Sequence, residues 1–238
     1  MLKFINLVLF IGMIVMNYLA NALPLNHKTT GELSDSFPNL FVPAGITFSI
    51  WGIIYLLLAG YCVVQFTGSD QAIISEINWF FAITCVLNAL WIVFWHYEKL
   101  PLTLIAMIGI LLSLIYIDIG IKNLPFGIIK ASFGIYLGWI CVATIANVTA
   151  LLVHYKWNGL GLSQVSWTII MITLGTLIAI GTIYTLHNPF VGLSVVWAFA
   201  GIIIKRHVDY RSIALSAAVA LTIVALVSVY GFFRNFTV

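Results

Sequence analysis

Eight apolar runs, each about as long as the hydrocarbon core of a bilayer is thick, take up most of this 238-residue chain. They fall at about 4–23, 44–66, 78–96, 101–121, 131–153, 165–186, 189–204 and 212–233. Crossing roughly 30 Å of hydrocarbon as a helix takes about 20 residues. No water is present there, so the backbone must satisfy its own hydrogen bonds within a helix or a closed barrel. The runs lack the strict alternation of barrel strands and therefore predict helices. Composition agrees, with 63% hydrophobic and 7% charged residues, against about a quarter charged in a soluble domain. The fold class is all-α, a polytopic integral membrane bundle. The seventh run is the short one and opens on Asn188-Pro189, a favourable helix start. A count of seven crossings follows if that run only dips into the membrane.

The formal charge of +3 is spread over the connecting segments. Membrane topology and lipid headgroups account for it, and no nucleic-acid partner is expected. Loops 1–2, 3–4, 5–6 and 7–8 hold Lys28, Lys99, Lys156, Lys205, Arg206 and Arg211, while the other side holds Lys3, Lys122, Lys130 and Arg234. By the positive-inside rule this favours a cytoplasmic first loop with both termini outside. Cys62, Cys85 and Cys141 lie in three different runs without a Cys-x-x-Cys spacing, so they read as buried small hydrophobes. Lys3, the first run and Ala20-Asn21-Ala22 imitate a signal peptide. The run from Phe4 to Leu23 is nevertheless long enough to span, and Asn17 and Asn21 share one helix face. A retained first helix is the expectation.

Hydrolase, zincin, phosphate-loop and dinucleotide motifs are absent, and no catalytic residue, metal or required cofactor is assigned. Asp118 is the one acid well inside an apolar run. An ionisable group at that depth marks a solute or proton path by default, although Lys122 one turn on offers an ion pair. Aromatic and amide residues in register carry more information. Phe48, Trp51 and Tyr55 share a face of the second span, as do Asn88, Trp91 and Trp95 on the third. On the fifth, Tyr136, Trp139, Ala143 and Asn147 form a stripe with a small residue between bulky ones. Turned together, these faces would enclose an aromatic pocket with a few fixed polar groups, the usual make-up of a small-molecule site. The same amides also suit a plainer role as glue between helices. Gly134-x-x-x-Gly138 and Ala214-x-x-x-Ala218 suit close helix approach, normally within one chain. The polar segment from Leu25 to Leu40 is longer than a connector needs. Thr29 stands three residues before Glu32 as a capping box for a short helix.

Pro43-Ala44-Gly45, followed by Phe48, Trp51 and Tyr55, resembles the second-helix signature of the TspO/MBR family of tryptophan-rich sensory or translocator proteins. Asn88-x-x-Trp91 and Trp139-x-x-x-Ala143-x-x-x-Asn147 resemble its third and fifth helices. The resemblance implies a five-helix membrane domain over residues 1–156, with the first loop folded over a pocket. A C-terminal extension of about three transmembrane helices would cover 157–238. Family members bind porphyrins, sterols and benzodiazepine-type drugs, so the implied ligand is a flat hydrophobic molecule such as a tetrapyrrole. Trp51 and Trp139 would stack on it, Asn88 would hydrogen-bond it, and Ala143 would leave room. The implied role is sensor, receptor or carrier. The alternatives are a solute transporter using Asp118 and a porphyrin-degrading enzyme using pocket Trp residues. The resemblance also implies a bacterial cytoplasmic membrane location and allows a homodimer.

Overall fold

A computed structural model describes residues 1–23, 25–67 and 71–234. Nine α-helices are present among the described residues: α1 (Leu2–Ala22), α2 (Thr30–Asp35), α3 (Ile50–Thr67), α4 (Gln71–His96), α5 (Leu100–Gly120), α6 (Ile128–His154), α7 (Gln164–Leu186), α8 (Phe190–Arg206) and α9 (Arg211–Arg234). The short α2 lies in the first loop, and α3 is preceded by a 3-10 turn at Gly45–Ser49. Local chemistry places several ends. Pro101 sits in the first turn of α5, where its missing N–H costs nothing. The Ser163 hydroxyl accepts the Ser166 amide at the start of α7. His187 closes α7 in the left-handed conformation at φ 52°.

Helices α1, α4, α5, α6 and α3 pack in a closed ring, each against the next. Outside it, α8 packs on α6, α9 on α8, and α7 on both α9 and α8. Among the described residues, seven helices are long and apolar enough to cross a membrane. The eighth, α8, has 17 residues, about 26 Å at the helical rise. It nonetheless runs from one end of the bundle to the other. Asn188, just before it, contacts Asp118 and Lys130, and Arg206 at its far end contacts the first loop. One run is extended relative to expectation: α4 starts at Gln71, seven residues before position 78. Polar residues there find partners, since Asn78 accepts from Asn6 (2.9 Å) and from the Tyr61 hydroxyl (2.8 Å).

The Gly134-x-x-x-Gly138 motif is spent inside the chain. A Cβ at Gly138 would lie 2.1 Å from the Val191 carbonyl oxygen, and one at Gly134 would lie 2.6 Å from the Asn188 amide. Both glycines therefore seat α8 against α6. Ser194 adds a 2.6 Å hydrogen bond to the Ile135 carbonyl across the same seam. Gly138→Ala is expected to destabilise the bundle by about 1–3 kcal/mol through overpacking. Gly12→Ala, at a position with nothing within 4 Å, should leave thermal unfolding in detergent unchanged. Equal midpoints for the two variants would refute the close α6–α8 seam.

Candidate functional site

The three aromatic faces meet. Phe48 packs edge-on against Trp139 with centroids 5.9 Å apart, and Trp51 packs edge-on against Trp139 at 6.3 Å and Tyr136 at 5.8 Å. Tyr55 stacks on Trp51 at 5.6 Å, one turn further along α3. On α4, Trp91 and Trp95 stack at 5.6 Å and 13°. Trp91 is held by its indole N–H, which donates to Asn147 Oδ1 at 3.1 Å. The Asn147 side-chain amide donates in turn to the Ala143 carbonyl at 2.9 Å.

Between these faces lies a cavity of about 60 Å³, lined by Phe48, Trp51, Trp91, Trp95, Trp139, Ala143 and Asn147 with part of the first loop. It is far smaller than the roughly 300–1,000 Å³ of a small-molecule pocket. A cleft of about 750 Å³ adjoins it among α1, the first loop, α3 and α4, and shares Thr30, Phe48, Trp51 and Trp91 with it. The open space is therefore displaced toward α1 from the position the three aromatic faces suggested. Trp51 and Trp91 form the partition. Three polar atoms in these walls are buried without a hydrogen-bond partner: Trp139 Nε1, Thr30 Oγ1 and the Tyr55 hydroxyl. An unmade hydrogen bond of this kind costs about 1–3 kcal/mol.

Three expected site residues, Asn88, Tyr136 and Asp118, line neither space. Asn88 Oδ1 accepts from Asn17 at 2.7 Å, and its amide donates to the Tyr136 hydroxyl at 3.2 Å. With both ends occupied, Asn88 joins α1, α4 and α6. Asp118 also stands apart, at the opposite end of the bundle from the first loop. It is fully buried, and its Oδ1 accepts from Asn188 Nδ2 at 2.6 Å. Asn188 also donates to the Lys130 carbonyl, and the Lys130 ammonium donates to the His187 carbonyl at 3.0 Å. Among the described residues no ion pair joins Asp118 to Lys122. The expected pairing is corrected: a partner about seventy positions away reaches the acid through the gap left by Gly134.

The first loop covers the mouth and is held from two sides. On α4, the Trp95 indole donates to the Thr30 carbonyl at 3.4 Å, and Asn26 donates to the His96 carbonyl at 3.0 Å. From α8, Arg206 donates to the Leu40 and Asn39 carbonyls at 3.0 and 2.9 Å. Lys205 pairs with Asp35 at 3.0 Å, and the Trp197 indole donates to the Thr47 carbonyl at 2.8 Å. The Ala44 amide donates to the Gly201 carbonyl at 3.0 Å, where a Cβ would lie 1.9 Å from Thr47 Oγ1. Sequence reasoning missed Thr30, Trp197 and this clamp. The only local signal was a basic end to run seven.

The model of the TSPO-like protein family matches residues 3–230. The chain belongs to this family. The match extends through α7, α8 and most of α9, so the C-terminal helices lie within the TSPO-like region as the family model describes it. No curated protein and no solved structure matches the chain. This TSPO-like chain is a multi-pass integral membrane protein in contact with the lipid bilayer.

The capping box is present. The Thr29 amide donates to Glu32 Oε2 at 2.8 Å, and the Glu32 amide donates to Thr29 Oγ1 at 3.2 Å. Hydrogen bonds from the Thr29 backbone and then its hydroxyl hold the Glu32 carboxyl below its ordinary value. A carboxyl depressed on folding stabilises α2 above the unfolded Glu pKa of about 4.3, and that contribution is lost as pH falls through the lower folded value. An NMR titration should show the Thr29 and Glu32 amides moving together below pH ~4.3, and Glu32→Gln should abolish the step. A step that survives Glu32→Gln would contradict the assignment.

Proposed function

We propose that the chain binds a flat hydrophobic ligand of the porphyrin or sterol type as a sensor, receptor or carrier in the bacterial cytoplasmic membrane. The observation that carries this reading is the unpartnered Trp139 indole N–H in an aromatic wall, beside a cleft large enough for such a molecule. The body of the ligand occupies the cleft among α1, α2, α3 and α4. Its polar edge reaches Thr30 and Tyr55, and movement of Trp51 opens the small cavity and Trp139 to it. Burial and ring packing supply most of the affinity, and the buried donors orient the ligand. In this reading the five-helix ring, residues 1–156, is the binding unit, and α8 of the C-terminal extension braces its lid. Asp118 is assigned a structural tie, because it lines neither cavity and its carboxylate holds Asn188.

Titration of purified protein with a porphyrin tests this, with Trp fluorescence quenching as the readout. Trp139→Phe removes one donor and is expected to weaken binding about 2- to 10-fold. Ala143→Phe, which fills the small cavity, should weaken it further. Saturable binding that neither change alters would overturn the assignment. A steady loss of porphyrin absorbance in light would indicate turnover instead of binding alone. Shortening residues 27–39 should speed ligand release while leaving helix content unchanged by circular dichroism. Release at the wild-type rate would show that the loop is not a lid.

A further inference from the structure

A second site lies outside the ring, on the face where α6, α7 and the end of α8 meet the first loop. A groove of about 310 Å³ runs between the last two turns of α6 and the first two of α7. Its walls are mainly apolar, with Leu152, Val153 and Met171 among them, and its far end is closed by Trp157 and Trp167, edge to face at 4.9 Å. Trp residues at the ends of spanning helices mark the depth of the headgroup boundary. The groove is therefore half-enclosed and lies at the level where acyl chains meet headgroups.

This groove shares Pro38, Asn39, Leu40 and Gln164 with a cleft of about 370 Å³ that also holds Lys205, Arg206 and Tyr210. The two spaces thus adjoin across these four residues, an apolar slot beside a basic recess. Arg206 spends Nε and Nη2 on the first loop and makes no described bond through Nη1. Lys205 is paired with Asp35 and also donates to the Pro43 carbonyl at 3.4 Å; its side chain is 28% exposed and that of Asp35 70%. The pair is open to solvent on its acidic side, where an ion pair contributes little. Asp209 stands near Arg206 as the other acid of this region.

We infer that this face binds one molecule of an anionic phospholipid, with an acyl chain in the α6–α7 groove and its phosphate against Lys205 and Arg206. A soluble anion would have no use for the groove, and a zwitterionic lipid would bring its own cation to the two basic side chains. An anionic lipid satisfies both halves. Guanidinium and ammonium groups near a membrane surface favour acidic headgroups on the order of fivefold per cation.

The test uses the full chain in phosphatidylcholine vesicles doped with brominated-chain phosphatidylglycerol or brominated-chain phosphatidylcholine. The readout is the quenching lost on Trp157→Phe/Trp167→Phe, which isolates these two indoles. Half-quenching is expected at a roughly 25-fold lower fraction of the anionic lipid, about fivefold for each of the two cations. Lys205→Gln/Arg206→Gln should abolish that preference. Because that pair also holds the first loop, Thr149→Phe provides a second test. It obstructs the groove with both cations in place and should reduce quenching by both lipids. Equal quenching by the two lipids in the wild-type chain would overturn the inference, as would quenching that Thr149→Phe leaves intact. A Trp signal that shifts equally with soluble glycerol phosphate, in vesicles lacking anionic lipid, would overturn the lipid assignment in favour of a free phosphate.

Discussion

A polar side chain in hydrocarbon has no solvent to turn to, and this constraint sets how the helices are rotated about their axes. Apolar faces of membrane helices discriminate poorly among neighbours, because lipid is as apolar as leucine. Buried amides discriminate well. Asn6 with Asn78 and Asn17 with Asn88 fix α1 against α4 at two levels. Trp91 with Asn147 fixes α4 against α6, and Asn188 with Asp118 pins the α7–α8 junction to the end of α5. The helix that carries Trp51 is held in the same way, by Tyr61 to Asn78 of α4 and by Ser132 of α6 to the Leu57 carbonyl. On this frame Phe48, Trp51 and Trp139 converge. The aromatic cluster is downstream of the amide pairs.

That order explains which parts were legible beforehand. Crossing segments could be read because apolar length is a local property, and the α2 capping box because Thr29 and Glu32 are three residues apart. The shared faces of α3, α4 and α6 followed from helical spacing alone. The roles of Asn88 and Asp118 could not be read locally, because each depends on a partner some seventy positions away. Periodicity announces that Asn88 faces inward, but not that Asn17 and Tyr136 have already taken both ends of its amide. Cavity size is also invisible in spacing. The Trp51 and Trp91 rings fill much of the space their own register suggests, and the larger opening lies toward α1.

The C-terminal helices are integrated into the rest of the chain. Gly134 and Gly138 give up their side chains to let α8 lie against α6, and Gly192 does the same for Ser228 of α9. Gly201 completes the series by admitting Thr47 and Pro43 of the first loop. A row of absent side chains thus makes α8 the meeting point of the ring, the outer helices and the loop. This offers a physical reason why such a short helix runs the length of the bundle: its backbone is the surface that others touch.

The bonds from Trp197 to Thr47 and from Lys205 to Asp35 span 150 and 170 positions of chain. A ribosome delivers the early helices first, and domains form in that order. The Asn17–Asn88 tie can therefore form while α8 has yet to be made. The first loop, although among the earliest segments synthesised, waits for nearly the last helix before it gains its clamp. A chain interrupted ahead of α8 would carry the whole aromatic cluster beneath a loop held only from α4. In biosynthetic time the floor of the site comes early and its cover late, so closure of the mouth records that α8 has been made.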